Sequence, residues 1–343
     1  MHSALLLTIT QYDPELAFAR SKDAVILFEY LQTQHPRKYD ASLSTALTNH
    51  SNSLCGLGEY SQALQTIKQS VHIQRDLLFH HSRPRVTSSL CCALHNLAQC
   101  LLDAGDSYST QLALGTITEA IELIEVLTRD NPAFLHVLGT CLLTYSHCHV
   151  RHGDHAEGVR AAERAIRIRR TCTMANSAQR DALLAEAYSH LSSCYSIPAN
   201  GDTTKALSAI QGAVSLQRGL LREDRSSTKI LDALAYYLYR SAMLLARIGG
   251  TDEAIRAIEE SVAHREQLAL GDPSAYNADL SQSLHDLGVL LHNNRQHAGA
   301  KSAMQKALRI RGKLAMMDGQ RYGRSLRNSE EALTVIQSAC LRL

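Results

Sequence analysis

Residues 47–75 read LTNHSNSLCGLGEYSQALQTIKQSVHIQR. Leu47, Ser51 and Leu54 lie at i, i+4 and i+7, one face of a helix whose small member lets a neighbour approach closely. Leu57-Gly58-Glu59-Tyr60 ends that helix, because a left-handed residue costs little at glycine. A second helical run follows at once, with Ala63, then Ser70-Val71 seven positions on, then Ile73-Gln74-Arg75. The stretch reads as two amphipathic helices folded back on each other across a short turn.

The same order recurs along the chain. Leu94, Leu97-Ala98, Leu101 and Gly105-Asp106 precede Ala113 and Ala120-Ile121. Leu142, Ser146 and Gly153-Asp154 precede Gly158, Ala165-Ile166 and Ile168-Arg169-Arg170. Leu191-Ser192 and Gly201-Asp202 precede Ala206, Ala213-Val214 and Leu216-Gln217-Arg218. Leu238, Ala242, Leu245 and Gly249 precede Ala254 and Ser261-Val262. Leu284, Leu287-Gly288, Leu291 and Arg295 precede Ala300, Ala307-Leu308 and Ile310-Arg311. The first small residue after each turn is thus 63, 113, 158, 206, 254 and 300, at spacings of 50, 45, 48, 48 and 46. One helix pair cannot bury its apolar face alone, so such copies must stack.

With Leu47/Ser51/Leu54/Gly58/Tyr60/Ala63/Ser70, Leu94/Ala98/Leu101/Gly105 and Leu238/Ala242/Leu245/Gly249/Ala254/Ser261, the chain resembles the tetratricopeptide repeat over roughly residues 40–315. It departs from the family in period, about 34 residues in the standard repeat. It also lacks the common tryptophan and the proline that closes the second helix. The long helices, with Ile-x-Arg ending the second, are more similar to the kinesin-light-chain type, as His297-Ala298-Gly299-Ala300 through Ala307-Leu308-Arg309-Ile310-Arg311 shows best. The resemblance implies an all-α, right-handed α-α superhelix. The six repeats are expected at about 40–80, 86–130, 134–174, 180–223, 228–270 and 276–316, a solenoid over 40–318.

The flanks read as partial repeats. Within a partial repeat or cap over residues 1–39, residues 14–34, with Leu16, Ala17, Ala24-Val25-Ile26-Leu27 and Leu31, look like the second helix of an earlier copy. The few residues before Tyr12 are too short for its first helix, so the chain is expected to open part-way through a repeat, as a piece of a longer parent protein or the product of a trimmed gene model. Residues 319–343, Arg324-Ser325-Leu326 to Ala339-Cys340-Leu341, form a capping helix or the start of a seventh copy. Pro36, Pro84, Pro132 and Pro273 are expected in loops between repeats. Asp106–Thr110 and Ile197-Pro198-Ala199-Asn200 are expected to lengthen two turns.

Composition fits this reading. Of 343 residues, 45% are apolar and 20% charged, with six prolines and no tryptophan. A net charge of +2 gives no global pull toward nucleic acid. The nine cysteines form no Cys-x2-Cys pair, and Cys55, Cys100, Cys148 and Cys194 fall within or at the ends of apolar segments. They read as reduced core residues of a cytoplasmic protein. Residues 1–7 are too short an apolar run for a signal peptide, and no stretch reaches the roughly 18 apolar residues of a membrane span.

Catalytic signatures are absent. The sequence has no Gly-x4-Gly-Lys phosphate loop, Gly-x-Ser-x-Gly nucleophile turn, His-Glu-x2-His helix or Gly-x-Gly-x2-Gly dinucleotide turn. Cys141, His147, His149, His152 and His155 could in principle hold zinc, but their spacing is not that of closed sites, and scattered polar positions are the expectation. Arg160, Arg164 and Arg167 share one helix face, with Arg169 and Arg170 beyond. A solvated outer face is expected over a phosphate or acidic-partner site. No cofactor, metal, nucleic acid or membrane is expected.

The resemblance also implies a partner surface, since the first helices of such repeats line a concave groove. Carried over by register, it selects Asn52, His95, Gln99, His147, Arg151, Ser193, Tyr236, Tyr239, Arg247, Gln282, His285 and His292. Tyrosine and arginine are common binding anchors. The alternative is that some are merely solvated, or that Tyr236 or Tyr237 packs between repeats. The expected function is a non-catalytic scaffold holding a peptide or helical segment of a protein partner. The alternative is the sensor array of a larger signalling protein with an NTPase or protease domain elsewhere.

Overall fold

A computed structural model describes residues 14–80, 83–172, 176–197 and 201–340. Expectations placed on 1–7, 198–200 and 341 fall outside the described residues. These form fourteen α-helices and no strand, and they divide into two compact units.

In the first unit, Met1–Ala175, α1 (Pro14–Gln34) lies on α2 (Asp40–Gly56). Helix α2 pairs with α3 (Tyr60–His80), α4 (Pro84–Ala104) with α5 (Ser107–Asp130), and α6 (Leu135–His152) with α7 (His155–Thr171). The first helices of the three pairs also touch in series, α2 on α4 and α4 on α6. The second unit, Asn176–Leu343, pairs α8 (Ser177–Tyr195) with α9 (Thr203–Glu223) and α10 (Thr228–Arg247) with α11 (Thr251–Gly271). Helix α12 (Pro273–Asn293) pairs with α13 (His297–Met317), and α14 (Gly319–Cys340) closes on α13.

The small residues of the motif are the seams. Ala63, Ala113, Ala206, Ala254 and Ala300 are wholly buried, as are Ser70, Ala120, Ala165, Ala213, Ser261 and Ala307. Without long side chains there, the two helices of a pair come close enough for side-chain-to-backbone bonds. Ser51 Oγ donates to Ala63 O at 2.9 Å and Ser146 Oγ to Gly158 O at 2.6 Å. Four residues after the first seam position stand Ile67, Ile117, Ile210, Ile258 and Met304, all at zero exposure. Each such side chain contributes about 1.5–3 kcal/mol of burial. Ala162 holds that place in α7, beside Gly158.

Turn chemistry sets the helix boundaries. In α2 the Glu59 N–H reaches Leu54 O while Gly58 N–H reaches Cys55 O, the paired bonds that finish a helix on a left-handed residue. The pattern repeats at Gly153, at Gly249 and at Arg295. Arg295 holds φ 60° where the other three turns place glycine. A side chain in that region costs about 1–2 kcal/mol, partly offset by the extra unfolded-state freedom of glycine. Arg295→Gly is therefore expected to raise stability by about 1 kcal/mol. An unchanged or lower urea midpoint would show that the arginine side chain supplies a compensating contact.

Two expectations about turns need correction. Asp106–Thr110 is not a lengthened turn. Asp106 accepts from Ser109 N and Oγ, so it caps α5, which starts at Ser107. Pro84 and Pro273 do not sit in loops but open α4 and α12, and Pro132 opens a short 3-10 turn, Pro132–Phe134. A residue lacking an N–H and fixed near φ −65° suits the first helical position.

Candidate partner-binding surface

The motif that the sequence marks near the end of four second helices is a fastening device, and the matching three residues stand at the same place in the other two. Its middle residue, Gln74, Ile124, Arg169, Gln217, Arg265 or Arg311, is buried in every repeat. In the second unit this residue reaches the next first helix. Gln217 Nε2 donates to Ile230 O at 3.0 Å. Arg265 Nη1 donates to Asp279 O (2.8 Å) and Ser283 Oγ (2.5 Å). Arg311 Nη1 donates to Ser325 O (2.8 Å) and Ser329 Oγ (2.6 Å). The following residue faces water and pairs with the next second helix: Arg75 with Glu119, Arg218 with Glu260, and Glu266 with Lys306. Exposed pairs of this kind are worth about 0–1 kcal/mol each, so the buried position does most of the fastening.

In the second unit this device underlies a polar surface on α10 and α12. Tyr239 Oη donates to Asp286 Oδ2 at 2.9 Å, and Gln282 Nε2 donates to the same oxygen at 2.8 Å. Arg311 Nη2 donates to Gln282 Oε1 at 2.7 Å, which fixes the amide's orientation. Ser329 Oγ, accepting from Arg311, lies 2.9 Å from His285 Nδ1. The Arg265 guanidinium stands over the Tyr239 ring at 5.1 Å. Burial, then the Asp286 carboxylate, pushes the Tyr239 phenol up to about 12, so it donates at neutral pH. Burial and the Arg311 charge lower His285, keeping its ring neutral. Burial and neighbouring Asp279 raise the Asp232 carboxyl, which Arg265 partly opposes. Ser329 is fully buried beneath this network, so its contact with His285 is structural and its hydroxyl is not presented for attack.

Of the twelve residues selected by register, the structure brings Tyr239, Gln282 and His285 into this one network. Tyr236 is 42% exposed beside them, its hydroxyl accepting from Arg240 Nη1 at 3.0 Å, while Tyr237 points into the core. Arg247 is exposed in the last turn of α10. His292 lies in the last turn of α12 against His297, with Nδ1 atoms 3.2 Å apart, two turns beyond His285. Ser193 returns its hydroxyl to Ser189 O of its own helix.

In the first unit, Asn52, Gln99 and His147 are half-buried on α2, α4 and α6, and Arg151 is exposed near Leu102 O at 3.4 Å. Burial, then Arg151, lowers the His147 imidazole, with Asp103 opposing. His95 is used internally: its Nδ1 is 2.9 Å from Thr144 Oγ1 on α6, and burial with the Arg169 charge pulls its pKa down to about 4. Asp286, Arg265 and Arg311 were missed by register. Asp286 stands four residues after Gln282, the spacing of helical neighbours, and was the legible hint.

The arginine face is solvated as expected. Arg160 pairs with Glu157 on its own helix and Arg164 with Glu125 on α5. Arg169 departs from it and is buried. Among the described residues no three histidine, cysteine or acidic side chains are placed to hold a metal ion. Nor, among them, is any helix long and apolar enough to cross a membrane.

A family model described as tetratricopeptide repeat matches residues 281–313, the span from α12 into α13. That stretch is similar to the tetratricopeptide repeat. A second model, described as anaphase-promoting complex subunit 5, matches residues 19–82 and 220–267. No curated protein matches the sequence. Among solved structures, BtubC (BKLC) from P. vanneervenii is similar with a TM-score of 0.60 at 20% identity, over 74% of this chain and 92% of that one. The signal transduction ATPase with numerous domains and a tetratricopeptide repeat sensor, from Pyrococcus horikoshii, gives 0.58 at 12% identity, over 92% of this chain and 42% of that one. Nro1, described as a hypoxic regulator of sterol synthesis and a nuclear import adaptor, gives 0.54 at 12% identity, over 92% and 99%. At these identities the likeness is one of fold.

Proposed function

We propose that this protein is a non-catalytic cytoplasmic scaffold that holds a peptide or helical segment of a partner protein against the first helices of its repeats. The observation that carries this is the α10–α12 surface. There Tyr236 is exposed beside a Tyr239–Asp286–Gln282 network locked from beneath by Arg265 and Arg311. Donors and acceptors held in place before binding lose less freedom on association, and exposed tyrosine with arginine is the usual composition of an anchor patch. The adaptor description of Nro1 supports the same reading.

The test is affinity purification with mass spectrometry, comparing wild type with a Tyr236→Ala/Tyr239→Ala/Arg247→Ala triple variant. A Tyr236→Ala/Arg247→Ala double variant spares the Tyr239 network. Partners retained by wild type are expected to bind both variants at least tenfold more weakly when purified, with helix content unchanged. Equal binding by the folded double variant would remove this surface from the function. A second reading, the sensor array of a larger signalling protein, is favoured by the match to part of a chain described as carrying a tetratricopeptide repeat sensor. A full-length transcript running into an NTPase or protease domain would support it, and an in-frame stop directly upstream would count against it.

A further inference from the structure

Two cysteines 45 residues apart in sequence meet where the first repeat packs on the second. Cys55 Sγ, in the last turn of α2, lies 3.3 Å from Cys100 Sγ in the last turns of α4. The Ser51 hydroxyl approaches Cys100 Sγ at 3.6 Å from the same side. Cys100 is buried, while Cys55 is half-buried and open to small reagents.

We propose that Cys55 and Cys100 form a reversible disulfide that staples α2 to α4. A disulfide bond is about 2.05 Å long, so the sulfurs have little more than an ångström to travel. The chain around Cys55 can yield that distance. Gly56 ends the helix with open space where a side chain would be, and Gly58 turns the backbone at φ 81°. The oxidant is a low-molecular-weight disulfide. The Cys55 thiolate attacks one of its sulfurs and releases one small thiol, leaving a mixed disulfide on Cys55. The Cys100 thiolate then attacks Cys55 Sγ and expels the second small thiol, whose sulfur takes up the remaining proton. Two protein thiols are oxidised and one small disulfide is reduced to two thiols. The staple would fix the spacing of the helices carrying Asn52 and Gln99, and the inference stands independently of the partner surface on α10 and α12.

The experiment incubates the full chain with oxidised glutathione, then alkylates it under denaturing conditions and maps its peptides. The expected result is loss of two titratable thiols, a cross-linked peptide joining Cys55 to Cys100, and a melting temperature raised by about 5 °C that dithiothreitol reverses. Cys100→Ser is expected to stop at one glutathione on Cys55 with no thermal gain. A full thiol count, a wild-type product that stays glutathionylated on Cys55, or cross-links elsewhere with Cys55 and Cys100 still reduced would each overturn the proposal. The wild-type map decides the question even if a variant does not fold.

Discussion

Arg311→Ala is expected to destabilise the second unit by about 3 kcal/mol, the cost typical of breaking a buried charged hydrogen-bond set. The guanidinium is almost wholly buried, and three of its bonds run to Ser325 O, Ser329 Oγ and Gln282 Oε1. Among the described residues no carboxylate forms an ion pair with it. It is held by a backbone carbonyl, a hydroxyl and an amide, so its removal leaves those acceptors and a void between α13 and α14. Arg311→Met keeps much of the volume and should cost less than alanine. Urea unfolding followed by circular dichroism measures both. A loss below about 0.5 kcal/mol for the alanine variant would mean that the bonds contribute little net. The same substitution at Arg265 should act alike, because its bonds to Asp279 O and Ser283 Oγ repeat the geometry one repeat earlier.

Acidification should destabilise the protein in two stages, the first set mainly by His95. Its folded pKa of about 4 lies below the unfolded value of about 6.5. Below pH 6.5 the unfolded chain therefore binds the proton first, and stability falls as the pH drops from about 6.5 to about 4. The shift corresponds to on the order of 3 kcal/mol. His50, His147, His264 and His285 are lowered too and add in the same direction. The second stage comes from aspartates in the turns, four of which cap helices. Asp202, bonded to Thr204 and to Lys205 N, is held down at about 2, and Asp106, Asp154, Asp224 and Asp272 are also lowered. Their stabilisation is present above the unfolded value of about 3.9 and is lost as pH falls through the folded values. Thermal melts from pH 7.5 to 4.5 should show the first stage. His95→Gln, which can still meet Thr144, should flatten it. An identical pH slope in that variant would refute the assignment to His95.

The repeat was legible because its physics is local. A seam between antiparallel helices demands small residues seven apart, and the sequence shows them at Ala113 and Ala120 or at Ala206 and Ala213. Turns demand a residue tolerant of positive φ, and Gly58, Gly153 and Gly249 supply it. The candidate surface was legible only in part. Period and register selected Tyr239, Gln282 and His285, but they selected His95 and Ser193 as well. Whether a polar side chain on a first helix faces a partner or a neighbouring helix depends on the residue opposite. For His95 that residue is Thr144, 49 positions away.

The amino-acid order alone determined that the chain is helical, that its helices pair, and where the pairs meet. Each of those follows from contacts within about a dozen residues. Tertiary structure decided what the buried residue near the end of each second helix does. The buried charge of Arg265 or Arg311 is tolerable only because the next first helix offers a carbonyl and a serine 14 and 18 residues on. It also decided that Cys55 meets Cys100 and that Tyr239 meets Asp286. Those meetings depend on how one repeat is set against the next, an offset that no single repeat's sequence encodes.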